Sequence, residues 1–314
     1  ELKLTAPDGV DLSKVGYAYG NKSTDGIAND GKTISWTSDS TKGSVELTDL
    51  PAGTYTLEEI TAPDGFTKKT ETMTFVVGAD GKVEDVSLYV RKGEIVGIAG
   101  LVGAGKSELC KTIFGAYERT SGSVLLGGRE LKIGNPSQAV KNGIALVPEE
   151  RRKEGVLVNE NVTLNLSAAA LSKFCNGAFV SKAKTEKNAH EYVDGLDIKT
   201  PSIRQHVKNL SGGNQQKVAV GKWLAADCDV YIFDEPTKGV DVGAKQDIFR
   251  LINDITLRGN SVIYASCENA ELLSITDRIY VLFDGRVMAE LETAKTDEDE
   301  IMHYAVGSTT KYAR

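Results

Sequence analysis

Eight consecutive residues, Gly100-Leu101-Val102-Gly103-Ala104-Gly105-Lys106-Ser107, have the types and spacing to hold a polyphosphate. Glycines let a backbone curl so that successive N–H groups point inward at anionic oxygens. A helix opening near Lys106 adds unsatisfied N–H groups and the positive end of its dipole. Lys106 would reach the β- and γ-phosphates, the Ser107 hydroxyl would sit on Mg²⁺, and Glu108 follows in the same turn. A second cluster, Ser211-Gly212-Gly213, opens another helix-like stretch and suits the same task. A third, Asp234-Glu235, ends an apolar run. Asp234 would hold Mg²⁺ through its water shell, and Glu235 would polarise an attacking water. Singly, these are also a surface turn, a helix cap and a charged strand end. Together, with Asp234 placed 23 residues after Ser211, they argue against coincidence.

The elements that must position them are legible around them. Ile95 to Ala99 reads as a strand leading into the glycine loop, and Glu108 to Phe114 as the helix leaving it. Val230-Tyr231-Ile232-Phe233 reads as a buried parallel strand, whose C-terminal end is where ligands bind in an α/β sheet. Ser123 to Leu126 and Ile144 to Val147 read as further strands. Residues 160–196 read mainly as helix, broken near Asn176-Gly177, and Gln215 to Ala226 as a helix after the second cluster.

The 314 residues suffice for two domains, and 40% hydrophobic with 26% charged residues suits a globular protein. No run is long and apolar enough for a membrane helix, so a membrane would enter through a partner. The sequence opens at Glu1 with no visible leader, so a fragment or processed form is expected. Cys110, Cys175, Cys228 and Cys267 form no CxxC pair, which argues against a zinc site or disulfide framework. Residues 1–87 carry eight lysines, no arginine and fifteen acidic residues, whereas the remainder balances 29 basic against 29 acidic. That shift predicts a domain boundary, with residues 1–85 apart from 86–314. The acidic part and the lack of a basic, aromatic-interleaved stripe exclude nucleic acid as a partner.

Residues 1–85 alternate short strand-like runs (Leu2 to Thr5, Val15 to Tyr19, Thr33 to Trp36, Ser44 to Leu47, Tyr55 to Glu59, Met73 to Val77) with turns at Pro7-Asp8-Gly9, Asp30-Gly31, Pro51-Ala52-Gly53, Pro63-Asp64-Gly65 and Asp80-Gly81. This predicts an all-β sandwich. The segment from Leu50 to Glu59, with Thr61-Ala62-Pro63-Asp64-Gly65-Phe66, resembles the Cna B-type (prealbumin-like) repeats of Gram-positive surface proteins. That resemblance places Glu59 where many members carry the buried Glu that promotes an isopeptide bond. The reactive lysine's position reads as Ala6, so no such bond is expected, and Lys3 and Lys14 read as solvated charges.

The later clusters resemble the ATP-binding cassette family from about residue 82 onward: Gly100 to Ser107 as Walker A, Leu210 to Gln215 as the signature, Val230 to Asp234 with Glu235 as Walker B and catalytic glutamate, and Asp241 at the D-loop. The resemblance implies an α/β P-loop nucleotide-binding domain with a helical subdomain over about 150–226, and ATP and Mg²⁺ as ligands. Leu210 to Lys217, Asp234 to Lys245, Val147 to Gly155 and Asp299 to Met302 are similar to the second cassette of tandem ATPases that drive bacterial monosaccharide importers of the ribose and galactose type. Departures are Glu149 at the Q-loop position and Cys267 at the switch-histidine position. A neutral thiol cannot replace an imidazole bridging phosphate and water, and Cys267 is expected to be a small buried residue behind a strand. Tyr89 and Phe75 are the candidates for stacking on adenine.

The family works as a face-to-face dimer, so the implied partners are a second cassette, identical or different, and membrane permease subunits at the cytoplasmic face. Three readings follow: an ATPase subunit, or half-subunit, of a carbohydrate importer; a surface protein whose β-module carries the function; and a fusion of such a module to a cassette that binds nucleotide but turns over poorly without a partner cassette.

Overall fold

A computed structural model describes residues 2–19, 24, 26–37, 45–48, 53–61, 73–77, 83–177, 179–310 and 312. The turns expected at 63–65 and 80–81, and residues 51–52 of the turn expected at 51–53, lie outside them. Contacts divide the chain into two compact units, Glu1–Lys82 and Val83–Arg314.

The first unit is built from strands β1 (Leu2–Thr5), β2 (Gly16–Tyr19), β3 (Ile27–Asn29), β4 (Thr33–Trp36), β5 (Val45–Thr48), β6 (Gly53–Glu59) and β7 (Met73–Val77). Five form an antiparallel sheet in the order β3-β4-β1-β6-β7, and β2 pairs with β5 in a second sheet. Alternation along β1 and β4 turns Leu4, Ile34 and Trp36 to one face. There they share a core with Tyr19, Val45 and Leu47 of the smaller sheet and with Leu12, Val15 and Leu57. Two sheets on one core make the expected sandwich. Ala6 packs against this core, Lys14 is exposed and Lys3 half-buried. β3 was not read from the sequence because its three residues, Ile27-Ala28-Asn29, are too short to show alternation.

The second unit opens with a buried strand, β8 (Ile95–Ala99), followed by the glycine loop and α1 (Lys106–Ile113). Then come the hairpin β9 (Leu125–Leu126) and β10 (Arg129–Glu130), α2 (Pro136–Lys141) and β11 (Ile144–Val147). The helical stretch contains α3 (Val162–Ala168), the small hairpin β12 (Cys175–Asn176) and β13 (Phe179–Val180), and α4 (Lys182–Gly195). α5 (Gly212–Ala226), β14 (Val230–Asp234), α6 (Val242–Leu257), β15 (Ser261–Ala265), α7 (Asn269–Ile275), β16 (Arg278–Phe283), β17 (Arg286–Glu292) and α8 (Glu298–Ala305) complete it.

Six strands form one sheet in the order β11-β14-β15-β8-β16-β17, parallel except for β17. Every residue of β8, β11 and β15 is buried, as continuous apolar runs covered on both faces require. Parallel order has one consequence for chemistry. It brings the segments after β11, β14, β15 and β8 to the same edge of the sheet, where residues far apart in sequence meet.

The opposite edge is closed by a buried ion pair. Arg278 Nε lies 2.6 Å from Glu94 Oε1, and both residues are more than nine-tenths buried. Burial alone would raise the Glu94 carboxyl. Hydrogen bonds from Arg278 and from the Arg91 N–H outweigh it and hold Glu94 below its ordinary value. Tyr89 stacks here, with the Arg278 guanidinium 4.2 Å from its ring centre. Arg278→Met would leave Glu94 buried with only the more exposed Arg91 as its partner. The expected cost is about 3–5 kcal/mol to the second unit, measured by denaturant unfolding at neutral pH. A carboxyl depressed by folding stabilises above its unfolded pKa and loses that contribution as pH falls, so the difference between the two proteins should shrink on acidification.

Candidate functional site

The glycine loop leaves the C-terminal end of β8 and turns directly into α1. Gly100 has φ 151°, and a Cβ there would meet Leu282 O at 2.7 Å, so only glycine fits. Gly103 and Gly105 also have positive φ, and Gly105 is the N-cap of α1. Ala104 is buried, whereas Leu101 and Val102 are exposed at the loop's crest, Val102 by 87%. Glu108 lies in the first turn of α1.

Lys106 is buried. Its ammonium donates to Gly100 O at 2.8 Å, to Leu101 O at 3.2 Å and to Cys267 Sγ at 2.9 Å, and lies 3.6 Å from Glu235 Oε1. Ser107 Oγ donates to Asp234 Oδ1 at 2.9 Å and is 3.4 Å from Glu149 Oε2. Thus Lys106, Ser107, Glu149, Asp234, Glu235 and Cys267, from the ends of four neighbouring strands, form one cluster.

Asp234 is fully buried, and its Oδ2 has no hydrogen-bond partner. Burial raises its carboxyl to about 6 despite the opposing Ser107 hydrogen bond. Glu235 Oε1 is likewise buried and without a hydrogen bond. Glu235 adopts φ 46°, unusual for a residue with a side chain. Such backbone costs of order 1–3 kcal/mol and occurs where the surroundings over-determine it. Among the described residues no three His, Cys, Asp or Glu side chains form a metal cluster. A hydroxyl beside an orphaned carboxylate oxygen is nevertheless a set of hard oxygens that fits a magnesium ion whose other ligands come from phosphate and water.

Cys267 does not lie behind a strand. It is exposed beyond the end of β15, with its sulfur against the Lys106 ammonium. Partial desolvation and then Glu235 raise the thiol, with Lys106 pulling the other way. Tyr89 is also displaced from its expected place. It stacks on Arg278 at the N-terminal ends of β8 and β16, the opposite edge from the glycine loop. Phe75 belongs to β7 in the first unit.

Ser211 caps α5, its Oγ accepting from Asn214 N at 3.5 Å and also from the Asn214 side-chain Nδ2 at 2.9 Å. Asp241 caps α6 through Ala244 N at 3.0 Å. Gly213 is required by packing, since a Cβ would meet Ala244 Cβ at 2.7 Å. Gly212 lies against Arg151 and Gly239. Ser211, Gly212, Gly213 and Asp241 therefore form a second cluster, joined to the first through Arg151. That guanidinium donates to Lys238 O at 2.7 Å and Gly239 O at 3.3 Å.

Three further residues hold the site and were not singled out from sequence. Glu271 is buried and accepts from Thr237 at 2.7 Å, Tyr264 at 2.8 Å, Ser266 at 3.2 Å and Lys245 at 2.8 Å, tying the segment after Glu235 to β15 and α6. Arg151 and Lys238 stand inside quoted motifs. The only signal for them was a charge in a segment otherwise concerned with backbone shape.

A parallel sheet whose strand ends carry a glycine loop, a Ser–Asp pair and a buried acid defines a P-loop nucleotide-binding domain. Residues 83–238 match the model of the ABC transporter family, and residues 5–92 match that of a prealbumin-like fold domain. The second unit thus carries an ABC transporter domain, a fold that binds ATP, and the first unit carries a prealbumin-like domain. The chain is 43% identical over 226 residues to a ribose import ATP-binding protein of Clostridium tetani, covering 72% of this chain and 45% of that protein. It is 44% identical over 226 residues to a xylose import ATP-binding protein of Moorella thermoacetica, covering 72% of this chain and 45% of the relative. The chain thus spans about half the length of the curated relatives it matches. Among solved structures it is similar to a dimeric, post-hydrolysis ATP-binding cassette bound to ADP and phosphate, with TM-score 0.59 and 21% identity over 73% of this chain and 94% of that one. It is equally similar to a nucleotide-free cassette, with TM-score 0.59 and 21% identity over 82% of this chain and 100% of that one. These last two are likenesses of fold.

Asp234→Asn tests the electrostatics of the site without any ligand. Folding raises this carboxyl from 3.8 to about 6, so the charged form destabilises the fold by about 3 kcal/mol at neutral pH. Removing the charge should stabilise the second unit by up to that amount above pH 6. The gain should vanish below about pH 4, where both states carry the proton. Thermal melts across pH check this, and no gain at pH 7 would refute the buried charge.

Proposed function

We propose that this chain is an ATP-hydrolysing cassette, or half of a tandem ATPase, that powers carbohydrate import through a membrane permease at the cytoplasmic face. One observation carries this reading: Lys106, Ser107, Asp234 and Glu235 converge at one sheet edge, with two buried carboxylate oxygens lacking hydrogen-bond partners. The names of the relatives, import proteins for ribose and xylose, support the substrate class. No described helix is long and apolar enough to cross a membrane, which accords with action through a separate permease. In this proposal residues 86–314 form the cassette, with a helical subdomain over about 150–226, and residues 1–85 form a separate β-module.

The loop N–H groups of residues 100–107 and the start of α1 would hold the phosphates of ATP. Lys106 would leave the carbonyls of Gly100 and Leu101 for phosphate oxygens. Ser107 and Asp234 would hold Mg²⁺, with Glu149 beside them. That ion, when bound, neutralises charge on the phosphates. Glu235 would orient the attacking water and take up its proton, and its strained backbone fixes the carboxylate in place. Ser211, Gly212 and Gly213 would complete the cradle around the nucleotide of a second cassette, with Asp241 in the same interface. Cys267 leaves the switch position with a thiol of little basicity, so proton transfer rests on Glu235.

The test is Mg²⁺-dependent ATP turnover of the full chain over a range of protein concentrations. Lys106→Ala should weaken ATP binding at least tenfold. Glu235→Gln should keep binding and lose turnover by a factor of at least 10². Turnover rising faster than linearly with concentration would identify a working homodimer. Binding through Lys106 without turnover would favour a β-module joined to a cassette that needs another one. ATP binding indifferent to Lys106 would refute the site.

A further inference from the structure

One cation at the mouth of the cluster has no place in the steps above. Lys238 stands three residues beyond Glu235 on the turn after β14, and its side chain is 63% exposed. Its ammonium lies 2.5 Å from Glu149 Oε1. The other oxygen of Glu149 is 3.4 Å from Ser107 Oγ. A single carboxylate therefore spans from Lys238 to the hydroxyl that pairs with Asp234. Without Lys238 the cluster sets one ammonium, Lys106, against the carboxylates of Glu149, Asp234 and Glu235. Cys267 contributes no positive charge, and Lys106 is already engaged by two loop carbonyls. Before any Mg²⁺ is counted, terminal phosphate oxygens entering such a cluster meet more negative than positive charge, and ADP, which lacks that phosphate, meets less of the mismatch.

The Lys238 backbone is fixed while its side chain is not. Its carbonyl is held by Arg151 at 2.7 Å, and its N–H donates to Glu235 O at 3.1 Å. Beyond that anchor runs a four-carbon stem with three rotatable donors. An ion pair this exposed holds its partner only weakly, so a phosphate can take the ammonium from Glu149.

We propose that Lys238 is a second cationic ligand of the nucleotide's terminal phosphate, for which Glu149 and that phosphate compete. The proposal rests on the reading of residues 100–107 as the triphosphate site. It is specific to the terminal phosphate, and so predicts discrimination between nucleotides and not merely tighter binding.

Equilibrium binding of a non-hydrolysable ATP analogue and of ADP to the full chain, with Mg²⁺, tests it. Lys238→Met should weaken analogue binding about tenfold, the worth of one charge-assisted hydrogen bond, and change ADP binding less than about twofold. Lys238→Arg should restore most of the loss. In the presence of a chelator, Glu149→Gln should strengthen analogue binding about threefold by freeing the ammonium. That gain should be absent in the Glu149→Gln, Lys238→Met double variant. Equal effects on both nucleotides, no effect on either, or a Glu149→Gln gain that survives loss of Lys238 would each overturn the proposal. Lys106→Ala, run beside these, separates the two levels. If it removes both affinities while Lys238→Met changes neither, only the Lys238 assignment falls. If it leaves both unchanged, the phosphate-site reading falls and takes Lys238 with it.

Discussion

The hydrogen bond from Ser107 to Asp234 joins the first turn of a helix to the end of a strand that is not its neighbour in the sheet. It opposes the burial that raises this carboxyl. The surroundings stabilise its charge only in part, since one of its oxygens has no hydrogen-bond partner. Much of the second unit is arranged to tolerate that state. The strands on either side are fully buried, α1 begins beside the same place with Ser107 in its first turn, and Lys106 lies within the cluster. A site prepared in this way stores unfavourable electrostatics that a cation would relieve on binding.

Around that cluster the structure separates holding from acting. Glu271 gathers four hydrogen-bond donors from three elements and is buried. It fixes the segment carrying Glu235 against β15 and α6 without facing the reacting groups. Arg151 does the same for the turn at 238–239 and lies against Gly212 at the start of α5. At the far end of the strands, Arg278 and Glu94 close the sheet with a largely buried pair.

Much of this was legible in the sequence because the features are local. The glycine loop, the cap at Ser211 and the apolar run into Asp234 each lie within one segment whose spacing states its geometry, and the alternating runs before residue 85 give the two-sheet core. What was not legible depends on which strands become neighbours. Glu149 and Lys238 are 89 residues apart and meet only because β11 pairs with β14. Cys267 reads as packing because the run before it is apolar, yet β15 ends at Ala265, two residues before it. Tyr89 is one of two candidate aromatics upstream of the glycine loop, but its ring is claimed by two guanidinium groups at the other edge of the sheet.

The position of β15 carries a geometric consequence. It runs between β14 and β8, so the glycine loop and the Asp234-Glu235 segment do not touch as neighbouring strands would. The turn at Ser266-Cys267 occupies the gap between them and acts as a shim. With a side chain as small as cysteine in it, Lys106 and Glu235 close to 3.6 Å across the gap. A bulkier residue would set a wider clearance. Position 267 is therefore a gauge for how far apart the cation and the acid of this cassette stand, whatever chemistry its own side chain can or cannot perform.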